Sequence, residues 1–156
     1  MPVINLRTII NSDIETCFDL SRSIDLHIIS TAHTKERAID GKVSGLIGPG
    51  EFVTWQAIHF GITQQLTSKI TEYDRPFHFR DEQVKGAFNY LFHDHNFEVV
   101  DGKLIMEDIF NFRSPWSLIG RLVDKFILIN YLTKLLIRRN ALIKEYAETE
   151  KWKEIL

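Results

Sequence analysis

Two histidines and an aspartate give this sequence its clearest capacity for chemistry. His93 and His95 stand two residues apart in a run rich in aromatic residues, and Asp108 follows after a turn signal. A histidine paired with a carboxylate is an oriented acid/base group, suited to cyclisation, dehydration or hydrolysis. The same pair also satisfies its own hydrogen bonds inside an apolar wall, which is the commoner role of buried polar groups. Both interpretations require a sheet that brings the two segments together.

The turn between the two segments predicts which residues face one another. Asp101-Gly102 favours a two-residue type I′ hairpin, because such a turn needs positive φ at both central positions. Counting outward from the turn gives three cross-strand pairs: Phe97 opposite Met106, His95 opposite Asp108, and His93 opposite Phe110. The other face of the hairpin carries charged and amide side chains, so we expect the face with these pairs to point inward.

A cavity wall is therefore predicted on the inward face of this hairpin. Its members alternate along both strands: His93, His95, Phe97, Leu104, Met106, Asp108, Phe110 and Phe112. A charged aspartate is almost never buried without a partner, and His95 is the expected partner of Asp108. Phe88, Tyr90 and Phe92 have the opposite parity, which predicts either a bulge in the strand or an outer apolar strip.

A metal site is a further interpretation of His93 and His95, since alternate strand positions suit two ligands. Such a site needs a third or fourth ligand, and His59 is the candidate. The run Phe52–Phe60 does not alternate clearly enough to predict which way His59 faces. Asp81 and its neighbour Glu82 point to opposite faces of a strand and do not form a carboxylate pair. We therefore expect neither a metal nor a cofactor.

Two small helices are predicted after a first strand, Val3–Ile10. Ser12 and Glu15 have the spacing of a capping box, and Ile24–Ile29 is a second amphipathic stretch. The glycine-rich Gly45–Gly50 leads into a strand and lacks a following Lys-Ser/Thr, so it predicts a turn and not a phosphate loop. Six further strands follow the helices: Arg37–Val43, Phe52–Phe60, Gln65–Tyr73, Phe77–Val84, Ala87–Phe97 and Lys103–Arg113.

A long helix is predicted from Ser114-Pro115, a capping residue followed by proline at the first helical position. Its apolar stripe recurs every three or four residues: Ile119, Leu122, Phe126, Ile129, Leu132, Leu136, Ile143 and Ala147. We expect the stripe to lie on the sheet, with Phe126 and Ile129 against the cavity. The run Phe126–Leu132 is apolar almost all round, which predicts burial on several sides or a partner surface. Interspersed charges argue against membrane insertion and against a membrane-surface helix carrying Trp116.

Composition bounds the class of protein. A chain of 156 residues with 44% hydrophobic residues can bury one sizeable core, so we expect a single domain over residues 1–156. Nineteen basic and 21 acidic residues leave a formal charge of −2, too small for a field that attracts nucleic acid. The first residues lack the layout of a signal peptide, and the lone Cys17 fits a reducing compartment. We expect a cytoplasmic protein in which Cys17 is a small buried hydrophobe.

Several short motifs resemble those of one group of bacterial proteins: Gly48-Pro49-Gly50-Glu51, Thr54-Trp55, His59-Phe60-Gly61, Phe79-Arg80-Asp81-Glu82-Gln83, Gly86-Ala87-Phe88, His93-Asp94-His95 with Phe97, and Phe112-Arg113-Ser114-Pro115. The order of strand, two small helices, six strands and long helix is that of the helix-grip fold. The whole chain thus resembles the superfamily of START, Bet v 1 and polyketide-cyclase-like (SRPBCC) ligand-binding proteins. The bacterial subgroup includes members labelled "cell division protein" and members joined to a sugar-epimerase-like domain. Ala87 stands where similar sequences often have proline.

The resemblance implies an α+β helix-grip fold, with a curved antiparallel sheet of seven strands wrapped around the C-terminal helix. The subgroup has no established catalytic residues, so the resemblance assigns none here. We expect the cavity between sheet and helix to bind a small hydrophobic or aromatic molecule, such as a lipid or polyketide-like metabolite. Two alternatives stay open. One is an enzyme that uses His95 and Asp108 as acid and base, and the other is an interaction module that binds a protein through Phe126–Leu132 or the Phe88/Tyr90/Phe92 strip.

Overall fold

The computed structural model describes residues 2–115 and 117–156, so Met1 and Trp116 lie outside the described residues. Within this part of the chain, seven antiparallel strands form one curved sheet in the order β1-β7-β6-β5-β4-β3-β2. The strands are β1 (Val3–Ile10), β2 (Arg37–Gly41), β3 (Phe52–His59), β4 (Ile62–Asp74), β5 (His78–Lys85), β6 (Tyr90–Val100) and β7 (Lys103–Arg113). The predicted α+β architecture with a seven-stranded sheet is confirmed.

The β6–β7 hairpin has the predicted register. Asp101 and Gly102 have φ values of 51° and 75°, as a type I′ turn requires. The three expected pairs are present: Phe97 with Met106, His95 with Asp108, and His93 with Phe110. Pairing runs from Tyr90 to Val100 without a shift, so this strand contains no bulge, and it begins at Tyr90 instead of Ala87.

Of the three residues with opposite parity, Tyr90 and Phe92 form an outer apolar strip. The rings of Tyr90 and Phe92 stack with 6.1 Å between centroids. The guanidinium of Arg80 lies 4.7 Å from the centroid of Phe92, close enough for a cation–π contact. Phe88 does not belong to this strip. It precedes β6 and packs edge-on against Phe112, with 5.6 Å between ring centroids.

Helices α1 (Ile14–Ser21) and α2 (Ile24–Ser30) follow the first strand as predicted. Each helix is preceded by a capping residue whose side chain accepts a hydrogen bond from an otherwise free backbone amide. In α2 this residue is Ser23, which accepts from the amide of Leu26. The predicted cap of α1 is wrong by one residue. Asp13 Oδ1 accepts from the amide of Thr16 at 2.8 Å, because Asp13, and not Ser12, holds the extended backbone immediately before the helix.

Replacing Asp13 with alanine is expected to lower the free energy of unfolding by about 1 kcal/mol, the usual contribution of an N-cap. The loss arises because the Thr16 amide then has no acceptor. Ser12→Ala is the matched control, and urea unfolding of the two variants gives the comparison. If Ser12→Ala lowered the free energy of unfolding more than Asp13→Ala, this prediction would be wrong and the capping box expected from the sequence would be supported.

The C-terminal helix starts later than predicted and is not uniform. Helix α3 (Leu118–Val123) is followed by a π-helical turn, Asp124–Leu128, and by helix α4 (Ile129–Glu148). A π-helical turn accommodates an extra residue, so the side chains before it are rotated relative to those after it. This explains why the predicted stripe splits. Leu136, Ile143 and Ala147 are buried, whereas Ile119, Leu122 and Phe126 are 74%, 58% and 62% exposed.

The run Phe126–Leu132 is therefore not buried on several sides. Phe126 and Ile127 are exposed, while Leu128, Ile129 and Leu132 pack against a small cluster of buried residues around Phe112. Among the described residues, no helix is long and apolar enough to cross a membrane.

The main core gathers around α1. Phe18, fully buried, packs edge-on against Tyr73, Phe79 and Phe97 with ring centroids 5.2–5.5 Å apart. Cys17 is buried beside it without a disulfide, as predicted. Burial raises the pKa of this thiol to about 12, so Cys17 stays protonated at neutral pH.

Candidate functional site

A cavity of about 850 Å³ lies between the sheet and helices α2, α3 and α4. Side chains two residues apart on a strand share a face, which is why alternate residues of β3 reach the cavity together. Most of the wall is apolar, and its main members are Val53, Trp55, Ala57, Leu66, Ile70, Phe79, Leu128, Leu132, Leu135 and Leu136. The floor therefore comes largely from β3, β4 and β5, and the lid from the C-terminal helix.

The predicted cavity wall on β6 and β7 needs correction. Of its eight residues, His93, His95 and Phe110 line the cavity. Four others are core residues with exposures of 0–3%: Phe97, Leu104, Met106 and Phe112. Phe112, at the far end of β7, is buried in a cluster with Leu91 and Leu136. For Phe97, Leu104 and Met106, the reason is that α1 covers the inward face near the hairpin turn. Phe18 contacts Phe97, and the Ser21 hydroxyl lies 3.5 Å from the Met106 sulfur.

The predicted contributions of Phe126 and Ile129 are also wrong. Neither residue lines the cavity, because the π-helical turn rotates the lid between α3 and α4. Ile127, Leu128 and Tyr131 face the cavity in their place.

The polar end of the cavity contains two histidine–carboxylate pairs. His93 Nε2 lies 2.8 Å from Asp108 Oδ1, and His95 Nε2 lies 2.8 Å from Asp81 Oδ2. The expected pairing of His95 with Asp108 is the weaker contact, with 3.4 Å from His95 Nδ1 to Asp108 Oδ1. Both short contacts join diagonal neighbours on adjacent strands. The residue directly opposite His95 on β5 is Phe79, and the two rings stack with 4.1 Å between their centroids.

Helix α4 supplies the remaining partners of Asp108, which is completely buried. Arg139 Nη1 lies 3.2 Å from Asp108 Oδ1, and Asn140 Nδ2 donates to Asp108 Oδ2 at 2.6 Å. Arg139 also donates to the carbonyl of Ser21 in α1. Burial by itself would raise the pKa of Asp108. The Arg139 charge and the hydrogen bonds from His93 and His95 outweigh burial and hold this pKa well below its ordinary value.

The two groups nearest the cavity have different charge states at neutral pH. Burial, followed by the neighbouring ring of His95, lowers the pKa of His93 to about 4, despite the opposing effect of Asp108. His93 is therefore neutral. Burial acts to raise the pKa of Asp81, but the hydrogen bond from His95 and the neighbouring positive charges lower it, so Asp81 is ionised.

A second polar group lies elsewhere on the cavity wall. His27 Nε2 is 3.2 Å from Glu36 Oε1, and His59 Nδ1 is 2.7 Å from the hydroxyl of Tyr131. The His27 ring also lies on Trp55, with 4.4 Å between centroids. The side chain of His59, whose direction the sequence left open, thus faces the cavity. Its hydrogen-bond partner is Tyr131, and it does not join the His93/His95 cluster.

Three members of the polar end were not identified from the sequence: Asp81, Arg139 and Asn140. Arg139 follows the buried Leu136 by three positions and precedes the buried Ile143 by four, which places it on the inward stripe. That spacing was a usable signal. Asp81 shares the parity of Phe79 on β5, a second usable signal once Phe79 is assigned to the core. Asn140 carries the same signal as Arg139, because it follows Leu136 by four positions and precedes Ile143 by three.

Comparison with known proteins identifies the fold. No protein-family profile and no curated protein matches the chain. Among solved structures, TTHA0849 from Thermus thermophilus aligns with a TM-score of 0.69 at 13% identity, over 91% of this chain and 97% of that one. The ginseng major latex-like protein 151 from Panax ginseng aligns at 0.66 and 16%, over 94% and 97%. Ara h 8.0201 aligns at 0.62 and 13%, over 94% and 97%.

The chain has a Bet v 1-like helix-grip fold. The alignments span nearly the full length of both chains, so the shared fold includes the sheet, the two small helices and the C-terminal helix. Identities of 13–16% carry no information about the occupant of the cavity, because ligand specificity depends on individual side chains and not on the fold.

Proposed function

We propose that this protein binds a small apolar or aromatic molecule, such as a lipid or polyketide-like metabolite, in the cavity beneath α4. The observation that carries the proposal is the cavity of about 850 Å³ with a mainly apolar wall and polar groups gathered at a few points. Ligand pockets in proteins have this combination, with volumes of about 300–1,000 Å³. A cavity of this size that bound nothing would only lower the stability of the fold, because the side chains around it lose packing contacts.

The polar end of the cavity favours a hydroxyl-bearing ligand over an anionic one. Asp81 is ionised and His95 is bound to it, so an incoming carboxylate would meet a like charge. A phenol or alcohol can donate its hydroxyl hydrogen to Asp81, which as a carboxylate only accepts. The ligand would then place its apolar body against Trp55 and Leu135.

The geometry favours binding over catalysis by His95 and Asp108. Both oxygens of Asp108 are already hydrogen-bonded, and its side chain is not exposed to the cavity. Asp108 therefore acts on a ligand through His93 and not by contact. We further propose that the protein is cytoplasmic and belongs to the bacterial subgroup that its motifs resemble, including His93-Asp94-His95 and His59-Phe60-Gly61.

Filling the cavity is expected to abolish most binding. In Ala57→Trp, an indole replaces a methyl group on the floor, and the dissociation constant of a neutral aromatic probe such as N-phenyl-1-naphthylamine should rise by about tenfold or more, or about 1.4 kcal/mol. Gln56→Trp is the matched control, because Gln56 is the preceding residue of β3 and bonds Gln65 on the other face. Probe fluorescence measures the binding.

Two outcomes would contradict the proposal. The first is that wild-type protein binds neither the probe nor any member of a panel of lipids and phenols. The second is that Ala57→Trp, with a native thermal transition, binds as tightly as Gln56→Trp. If Ala57→Trp fails to fold, Leu135→Trp fills the same cavity from the lid and repeats the test.

A further inference from the structure

The Nδ1 nitrogen of His93 accepts no hydrogen bond from the part of the chain that the structure describes. Asp108 is ionised and can only accept, so the 2.8 Å contact places the proton of the neutral His93 ring on Nε2. The lone pair is then on Nδ1. Asp81 Oδ2 lies 4.0 Å from Nδ1 and is also an acceptor. Within residues 2–115 and 117–156, nothing donates to this nitrogen, although the side chain of His93 is only 6% exposed.

Two acceptors that face each other across 4.0 Å attract a cation. His95 brings a third atom to the same place, with Nε2 2.8 Å from Asp81 Oδ2. One ligand atom from each of Asp81, His93 and His95 lies within 4.8 Å of the other two. Metal–nitrogen and metal–oxygen bonds are about 2.0–2.2 Å long, so side-chain shifts of about 1 Å or less bring all three atoms onto one ion.

We propose that Asp81, His93 and His95 form a binding site for a divalent first-row transition-metal ion, such as Zn²⁺ or Fe²⁺, at the polar end of the cavity. Two imidazoles and one carboxylate suit these ions and not Mg²⁺ or Ca²⁺, which take oxygen ligands. Three protein ligands leave coordination positions open towards the cavity. This inference goes beyond the binding of an apolar molecule and does not depend on it.

The surroundings of the three ligands support this assignment. Metal-bound histidines usually donate their other N–H to a carboxylate, and Asp108 accepts from His93 in this way. His95 Nδ1 lies 3.4 Å from the same oxygen of Asp108 and 3.2 Å from Arg139 Nη2. When His95 Nε2 binds the ion, Arg139 therefore gives up its contact with the ring, and Asp108 accepts the proton of Nδ1. The charge of Arg139 is offset by Asp108, and its other hydrogen bonds go to Asn140, to the carbonyl of Ser21 and to His95 Nδ1.

A second cluster on the outer face of the sheet provides a natural control. Glu72, His78 and Asp94 also come within 4.8 Å of one another. There, however, the guanidinium of Arg80 already bonds both oxygens of Asp94 and lies 3.0 Å from Glu72. A cation of the protein thus already pairs with both carboxylates of that cluster, and we expect no metal to bind there.

The test is titration of metal-free protein with Co²⁺ and Zn²⁺ in the absence of any apolar ligand. Wild-type protein is expected to bind one ion per chain, with visible Co²⁺ absorption bands that Zn²⁺ abolishes by displacement. Asp81→Asn and His95→Gln should each weaken binding by about tenfold or more. Asp108→Asn should weaken it by about 10–100-fold, the usual effect of losing an orienting carboxylate. His78→Gln, on the outer face, should leave both affinity and spectrum unchanged.

Three results would overturn the proposal. They are the absence of stoichiometric binding by the wild-type protein, wild-type affinity in folded Asp81→Asn and His95→Gln, and loss of binding in His78→Gln. Far-UV circular dichroism establishes that each variant is folded, and the two ligand variants lie on different strands, so failure of one to fold leaves the other. Binding of the aromatic probe is measured separately, which distinguishes failure of this site from failure of the cavity proposal.

Discussion

Replacement of Arg139 by methionine is expected to lower the free energy of unfolding by about 3–5 kcal/mol. Arg139 is the cation that lies against Asp108, and removing one partner of a buried ion pair leaves an uncompensated charge in the interior. Methionine keeps most of the volume of the arginine stem, so the loss reports on charge more than on packing. Chemical denaturation with urea at neutral pH, followed by far-UV circular dichroism, measures the change.

The neighbouring Arg138 provides the control for this prediction. It lies on the same helix and is exposed, away from the polar end of the cavity, so Arg138→Met should change stability by less than about 0.5 kcal/mol. A loss below about 1 kcal/mol in Arg139→Met would show that Asn140 and the histidines suffice to hold Asp108.

Acidification should distinguish charge from packing in the same variant. In the wild-type protein the pKa of Asp108 is held below its ordinary value of 3.8, so its stabilising contribution is present at neutral pH and is lost only as pH falls below about 4. Without the Arg139 charge, burial is opposed less strongly, so we expect the pKa of Asp108 in the folded variant to be higher than in the wild type. The stability difference between wild type and Arg139→Met should therefore shrink between about pH 7 and about pH 4.5. A difference that is constant over this range would indicate lost packing.

Truncation of Phe18 is expected to have a comparably large effect. Phe18 is completely buried and packs edge-on against Tyr73, Phe79 and Phe97, so Phe18→Ala should cost about 3–5 kcal/mol through lost burial and the cavity left behind. Phe18→Leu should lie between the alanine variant and wild type. The midpoint of urea unfolding measures all three proteins.

Phe77→Ala is the matched control for Phe18, because Phe77 is an aromatic residue that is 56% exposed between β4 and β5. It should change the free energy of unfolding by less than about 1 kcal/mol. If Phe18→Ala were no more destabilising than Phe77→Ala, the core around α1 would have to be loosely packed. The same result would weaken the explanation for why Met106 and Leu104 are core residues and do not line the cavity.

The parts of this protein that short-range rules describe were predicted correctly. The Asp101-Gly102 turn and the two-residue period of strands gave the complete register of β6 and β7, because both depend on residues within a few positions of one another. The order of elements led in the same way to the helix-grip fold. The cap at Asp13 was missed by one residue, since adjacent Ser12 and Asp13 are both good caps.

Long-range packing set the composition of the site. Parity shows that Met106 and Phe110 face the same side, but only the position of α1 makes one a core residue and the other a cavity residue. Asp108 was predicted to need a partner. Which of His93, His95 and Arg139 contacts it most closely depends on the direction of each histidine side chain and on the position of Arg139, which lies in α4, 31 residues further along the chain. Such contacts join segments whose approach is governed by the whole core, and no local pattern in the sequence encodes their distances.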